Sequence, residues 1–343
     1  MTYESVIATR RGGPETMKII ENKLVPPAEN QVRVRVLASC VTMPDVQARY
    51  GHSPFKIKPP FVPGYAIVGE VDACGAGVTT AAVGDRVGAL TVQGGYTEVF
   101  YIEENQIIPM PADLNPAELI TLILNYLVAY QTMHRSAKVQ TGETAVIIGA
   151  SGGIGTAYLQ LGKLVGLEMY GLASKSKHAV MDAYGAIPID YHTQDFAEVI
   201  RHAEPEGVDV VFDGVGGDYY RRGASLLKKG GRWISYGNPM SISGLLRVLG
   251  RTLISFLRLN DRKHIPYGTG LSRFNRDPYF EDWATLCKLL RERKIQPVIG
   301  ARFPILEAAR ANALLESGTI IGNVVLLAPE LLKAKIPYQE VQS

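Results

Sequence analysis

Apolar and polar residues alternate along Gln31-Val-Arg-Val-Arg-Val-Leu37, the period of a strand with one face buried and the other wet. Short strand-like runs at 3–9 and 17–24 flank the turn Arg11-Gly-Gly-Pro14, and Val62–Val71 and Asp85–Leu90 add more strand broken by glycines. The first ~110 residues therefore predict a β-rich, loop-rich domain. From Pro116 the period lengthens, and residues 117–134 carry apolar positions at helical spacing. Beyond them, apolar runs at 144–149, 168–173, 187–190, 208–213 and 231–236 alternate with helical stretches. That alternation predicts a parallel, doubly wound sheet of the α/β class. Ile320–Leu327 returns to a strand pattern, and the polar tail from Pro329 to Ser343 is expected to be frayed or lightly docked.

One segment departs from this alternation. Leu245, Leu246, Leu249, Leu253, Phe256 and Leu257 interleave with Arg247, Arg251, Ser255, Arg258 and Arg262. The spacing predicts an amphipathic basic helix over 241–263. Such a helix can lie on an anionic membrane, but burial against protein is the expectation here, so membrane contact is not expected. Residues 267–270 and 274–276 are expected to be loops bordering a pocket.

Composition narrows the classes. A chain of 343 residues suggests two domains, and 46% hydrophobic residues with 35 glycines fit an α/β protein with a sizeable core. A net charge of +3 with no basic stripe interleaved with aromatics gives no case for nucleic acid. Met1-Thr-Tyr-Glu-Ser5 lacks the basic start and apolar run of a signal peptide. No apolar stretch reaches the length of about 18 residues that a membrane helix needs. Cys40, Cys74 and Cys287 are scattered and odd in number, as in a reducing compartment. A cytoplasmic protein is expected.

The richest local signal is Thr144–Thr156 followed by a helical run: a buried strand, a glycine turn and a helix in immediate succession. A dinucleotide pyrophosphate needs that order, because the turn lets backbone approach the phosphates and the helix N-terminus offers N–H groups and a positive dipole end. The spacing is Ala150-x-Gly152-x-x-Gly155, so alanine replaces the first glycine of the usual pattern. Ala150, Ser151, Gly152, Gly153, Ile154 and Gly155 are the candidate phosphate-binding residues. The second strand should end at Ala173, where an NAD site would place a carboxylate for the ribose 2′-hydroxyl. The chain offers Ser174, Lys175 and Lys177 instead, with no carboxylate before Asp182. A hydroxyl and two ammonium groups suit a 2′-phosphate, so the expected cofactor is NADP(H).

The whole pattern resembles the medium-chain dehydrogenase/reductase superfamily. Its carriers are Ala38–Asp45, Pro60–Gly64 with Gly69, Gly84–Val87, Gly94–Glu98, Thr141–Glu143, Gly149–Gly155 and Gly322–Val325. Gly207–Gly217 and Leu226–Gly237 resemble the zinc-free quinone oxidoreductase branch, and within it the subgroup that includes the synaptic vesicle membrane protein homologues. The resemblance implies a GroES-like catalytic domain at 1–120, a Rossmann NADP(H)-binding domain at 121–289, and a return to the catalytic domain at 290–343. It also implies a homodimer.

Zinc-dependent relatives hold catalytic zinc through a cysteine that falls here at Thr42 and a His-Glu pair that falls at Tyr65-Ala66. These side chains supply no thiolate, imidazole or carboxylate, so no metal is expected. Hydride would then pass to a quinone or an α,β-unsaturated carbonyl compound, whose delocalised product anion needs less Lewis-acid help. By this alignment Tyr65 is the first candidate hydrogen-bond donor to substrate, unless it merely fills the metal's space. Thr42 is the second, standing where quinone reductases often carry Asn. Asp45 is expected to cap the following helix. By resemblance Asn125, Tyr126 and Tyr130 flank the nicotinamide, with Val128 where relatives have Thr. Tyr191 matches a tyrosine beside the 2′-phosphate, or else is a strand-end aromatic. Gly214, Val215, Tyr236 and Gly237 fall at later strand ends, the edge where doubly wound sheets bind ligands. Two other readings stay open: a carbonyl or enoyl-thioester reductase on the same fold, and an NADPH-binding sensor or scaffold with little turnover.

Overall fold

The computed structural model describes residues 1–53, 57–237, 250, 253, 261–268 and 276–333. The chain divides into two compact units, Met1–Leu124 with the segment beginning at Ile299, and Asn125–Val298.

The first unit opens with an antiparallel ribbon, β1 (Thr2–Ala8) and β2 (Met17–Lys23). It continues through β3 (Gln31–Val41), helix α1 (Met43–Tyr50), β4 (Ala66–Cys74), β5 (Arg86–Leu90), β6 (Val99–Glu103) and β7 (Ile108–Pro109), and then α2 (Pro116–Thr121). The alternation read from β3 is realised: Val32, Val34 and Val36 face the core, while Arg33 and Arg35 turn outward to Asp72 and Glu70. Each fully buried aliphatic side chain contributes about 1.5–3 kcal/mol.

The second unit holds α3 (Leu127–Gln131) and a six-stranded parallel sheet. Strands β8 (Thr144–Ile148), β9 (Glu168–Ala173), β10 (Ile187–Asp190), β11 (Val208–Asp213), β12 (Leu227–Ser235) and β13 (Lys263–Pro266) stand in the order β10-β9-β8-β11-β12-β13. The order reverses beside β8, which places the turn after β8 at the switch point of the sheet. All five residues of β8 are buried, as in a central parallel strand covered on both faces. Helix α4 (Gly153–Val165) follows β8, and α5 (His178–Ala183), α6 (Phe196–Ala203), α7 (Asp218–Ala224) and α8 (Arg276–Arg291) also lie in this unit. The helical period over 117–134 appears as α2 and α3 with widened turns at Leu122–Tyr126 and Thr132–Ala137.

Back in the first unit, β14 (Ile299–Pro304) and β15 (Asn323–Leu327) flank α9 (Ala308–Glu316). β15 pairs antiparallel with β3, giving the sheet order β14-β15-β3-β4-β5-β7 with β6 also on β3. The units divide at Leu124/Asn125 and Val298/Ile299, not at 120/121 and 289/290. A cut at 289/290 would sever α8, whose Leu286, Cys287 and Leu290 are all buried. The basic helix expected over 241–263 lies almost wholly outside the described residues. Its last position, Lys263, opens strand β13 rather than ending a helix. No described helix is long and apolar enough to cross a membrane.

Candidate functional site

The candidate phosphate-binding turn is built from three glycines with three different duties. Gly149 adopts φ +79°, the left-handed conformation that glycine reaches without penalty. It makes the sharp turn one residue early, which explains why alanine is tolerated at position 150. Ala150 then anchors to the sheet, its N–H donating to Leu172 O at 3.1 Å. Gly152 is the N-cap of α4, in an extended conformation open to any residue. A Cβ placed there would meet only Gly149 O, at an ordinary 3.5 Å. The fold itself therefore does not need glycine at 152, and the space beside the helix N-terminus stays open. Gly155 is the reverse case, since a Cβ there would fall 2.2 Å from Gly149 O and 2.5 Å from the Ala150 carbonyl carbon. Helix–strand packing demands that glycine. Ser151 is buried, and Gly153 and Ile154 are half-buried in the first turn of α4. N–H groups of a first helical turn have no partner within the helix. An open cradle lined by such groups fits a pyrophosphate.

At the end of β9, Ser174 and Lys177 are half-buried and Lys175 is exposed. Partial burial lowers the Lys177 ammonium pKa. A carboxylate does stand nearby, because Asp190 of β10 lies in register with Ala173. It is committed to its own turn, accepting from His192 N at 3.1 Å and from the Thr193 hydroxyl at 3.0 Å. Tyr191 is exposed with its ring 4.3 Å from that of His192.

At the ends of β11 and β12, Gly214 and Gly237 allow the chain segments to close on each other. A Cβ on Gly214 would fall 2.5 Å from the Tyr236 ring, and one on Gly237 would fall 2.6 Å from Gly214 O. Asp213, absent from the sequence-based set, shapes this loop: its Oδ1 accepts from Val215 N and Gly216 N, both at 2.8 Å. The Asp-Gly-x-Gly run after a buried strand was the available signal, since Asp favours such turns. Val215 is left exposed. Tyr236 packs 5.5 Å from the Tyr158 ring, and burial pushes its phenol pKa up. Asn125 is buried. The turn after β8, Ser174–Lys177, Gly214–Val215 and Tyr236–Gly237 thus share the C-terminal edge of one parallel sheet.

The first unit carries the other two candidates. Thr42 caps α1 and is buried. Its hydroxyl donates to Asp45 Oδ2 at 2.6 Å, so that proton is not available to a substrate. Asp45 therefore closes the capping box of α1 from its first turn, in keeping with the capping role the sequence suggested, though the reach of its second oxygen was not legible there. Tyr65 has its ring buried and its backbone carbonyl held by Thr91 N at 2.9 Å. Among the described residues its hydroxyl has no hydrogen-bond partner. Also among the described residues, no three His, Cys, Asp or Glu side chains gather so as to hold a metal ion.

Comparison with known proteins places this architecture. Residues 28–112 match the alcohol dehydrogenase GroES-like domain, and residues 184–326 match the zinc-binding dehydrogenase family. The human synaptic vesicle membrane protein VAT-1 homolog (Homo sapiens) is 30% identical over 336 residues, covering 94% of this chain and 86% of that protein. The quinone oxidoreductase of Rattus norvegicus is 29% identical, covering 92% of this chain and 95% of that protein. Among solved structures, the quinone oxidoreductase from Coxiella burnetii superposes with a TM-score of 0.81 at 27% identity, covering 96% of this chain and 100% of that one. With its GroES-like unit, its doubly wound unit and these relatives, the chain belongs to the medium-chain dehydrogenase/reductase superfamily, in the zinc-free quinone oxidoreductase branch alongside the VAT-1 homologues.

Proposed function

We propose that this chain is a zinc-independent, NADPH-dependent oxidoreductase that delivers hydride to a quinone or an α,β-unsaturated carbonyl compound. The observation that carries the reading is the open cradle at Gly152, in a turn at the switch point of a parallel sheet, in a chain whose metal positions hold no ligand chemistry. NADPH, when bound, supplies the hydride. Gly152–Gly155 and the start of α4 would hold its pyrophosphate, and Ser174, Lys175 and Lys177 its 2′-phosphate. Gly214, Val215, Tyr236 and Gly237 would line the same sheet edge, with Tyr191 near the 2′-phosphate and Asn125 near the nicotinamide. In the first unit, the Tyr65 hydroxyl would donate to the substrate oxygen as charge develops there. Thr42, having committed its proton to Asp45, can only accept.

The assay follows reduced-nicotinamide absorbance with a panel of small quinones, enones, simple carbonyls and enoyl thioesters. Turnover concentrated on quinones or enones supports the reading. Turnover confined to carbonyls or enoyl thioesters would favour the reductase alternative, and tight NADPH binding without turnover on any of them would favour a sensor. A cytoplasmic homodimer is part of the proposal: among the described strands β10 and β13 end the six-stranded sheet, and a sheet edge is commonly closed by pairing across a twofold axis. Sedimentation of the purified chain tests the dimer.

A further inference from the structure

A buried carboxylate links the two groups assigned to the substrate side of the first unit. Asp45 lies in the first turn of α1 and is 2% exposed. Its Oδ2 accepts from the Thr42 N–H at 2.9 Å and the Thr42 hydroxyl at 2.6 Å. Its Oδ1 accepts from Gly64 N at 2.9 Å. A helix cap needs only the first of these oxygens. The second reaches a segment 19 residues away, at the residue immediately before Tyr65.

That segment is held from its other sides as well. Gly64 sits at φ +112°, and a Cβ there would fall 2.5 Å from the backbone of Gly95. The Thr91 hydroxyl donates to Gly64 O at 2.6 Å, and the N–H groups of Thr91 and Val92 donate to Tyr65 O. Val92 does so at φ +66°, a conformation that a β-branched residue rarely adopts and that marks strain. The fold accepts strain to fix the backbone at Tyr65, and the Asp45 carboxylate is the charged member of that clamp.

We propose that Asp45 is the positioning residue of this site: by binding Thr42 with one carboxylate oxygen and the amide before Tyr65 with the other, it fixes where the Tyr65 hydroxyl meets the substrate. The inference rests on the reading of Tyr65 as the donor. Other groups face the carboxylate. The Tyr96 hydroxyl lies close enough to favour its anion, and the Cys40 thiol of β3 stands near it. Asn312 of α9 donates to the Tyr96 hydroxyl at 3.3 Å. Arg49, four residues along α1, directs its guanidinium to Gly12 O, Asn312 and Glu316. Burial pushes the Asp45 carboxyl pKa up to about 6, against the hydrogen bonds from Thr42 and Gly64 that favour the anion. The anion accepts these bonds, whereas the protonated acid must surrender at least one acceptor position. Acidification should therefore loosen the Thr42–Gly64 tie.

The test uses the full chain, NADPH and a small para-quinone. Asp45→Asn should lower kcat about 10- to 100-fold while leaving NADPH affinity within about twofold. The rise of wild-type kcat through the Asp45 ionisation should flatten in Asp45→Asn, and Asp45→Glu should recover part of the rate. Adding Asp45→Asn to Tyr65→Phe should cost little more, because both act through one hydroxyl. Full turnover with an unchanged pH profile in Asp45→Asn, or strictly additive losses, would overturn the proposal. Should Asp45→Asn fail to fold, hydrogen exchange on the wild type decides. Once corrected for the intrinsic rate, protection of segments 40–46 and 62–67 should change together as pH passes through that ionisation, and no change or independent changes would overturn the tie. If the wild type reduces neither quinones nor enones, the proposed function fails, and the same exchange measurement still decides whether Asp45 binds the two segments.

Discussion

Two glycines three positions apart should respond oppositely to the same added methyl group. In Gly152→Ala the new Cβ meets only Gly149 O at 3.5 Å, and the backbone, φ −79° and ψ 178°, suits alanine. Alanine restricts the unfolded chain, which stabilises by about 0.4–1 kcal/mol. It is also a poorer N-cap than glycine by a comparable amount. The two effects nearly cancel, so Tm should move by no more than about 2–4 °C. The methyl would, however, occupy the space that a pyrophosphate needs, and NADPH should bind about 10- to 100-fold more weakly, a loss of about 1.4–3 kcal/mol. In Gly155→Ala the Cβ falls 2.2 Å from Gly149 O, an overlap with backbone that no rotamer relieves. Overpacking of this kind costs about 1–3 kcal/mol or more. Gly155→Ala should therefore lose both Tm and NADPH binding. Thermal denaturation with fluorescence titration of NADPH on both variants gives the four numbers required. Unchanged NADPH affinity in a folded Gly152→Ala would refute the placement of the pyrophosphate at this turn, and with it the cofactor argument.

Four further outcomes are expected. NADPH should bind more tightly than NADH, and Lys175→Ala with Lys177→Ala should remove most of the difference, about 1.5–3 kcal/mol for a charge-assisted phosphate contact; equal affinities in the wild type would contradict the 2′-phosphate assignment. Prolonged chelation should leave turnover intact, whereas a stoichiometric zinc lost together with activity would reverse the metal argument. Tyr65→Phe should lower turnover about 10²- to 10³-fold with NADPH affinity retained; a change of less than a few-fold would make Tyr65 a space-filler. Because burial raises the Asp45 pKa from 3.8 to about 6, its contribution to stability is fully present below about pH 4 and lost as pH rises through about 6, by roughly 3 kcal/mol in all. The difference in unfolding free energy between wild type and Asp45→Asn, followed by denaturant titration across that range, should show this slope, and a flat difference would contradict it.

The chain's local periods settled its classes of element. Strict alternation over 31–37 could only sit half-buried in a sheet, and the strand–turn–helix at 144–165 was legible as such, because both signals are carried by residues adjacent in sequence. Tertiary structure decided matters that depend on which distant segments approach. Gly152 and Gly155 look alike in the sequence, and only the position of the Gly149 carbonyl shows that one is required by packing and the other is not. Asp190 is invisible as a neighbour of Ala173 until parallel pairing sets β10 beside β9. The boundary at Val298/Ile299 depends on where α8 packs, which a composition profile does not record. Asp45 reads as a cap from its spacing to Thr42, three residues away, but its bond to Gly64 exists only because the turn before β4 folds back onto the start of α1. A sequence displays the groups a residue carries; the fold alone determines which of their hydrogen bonds are already spent.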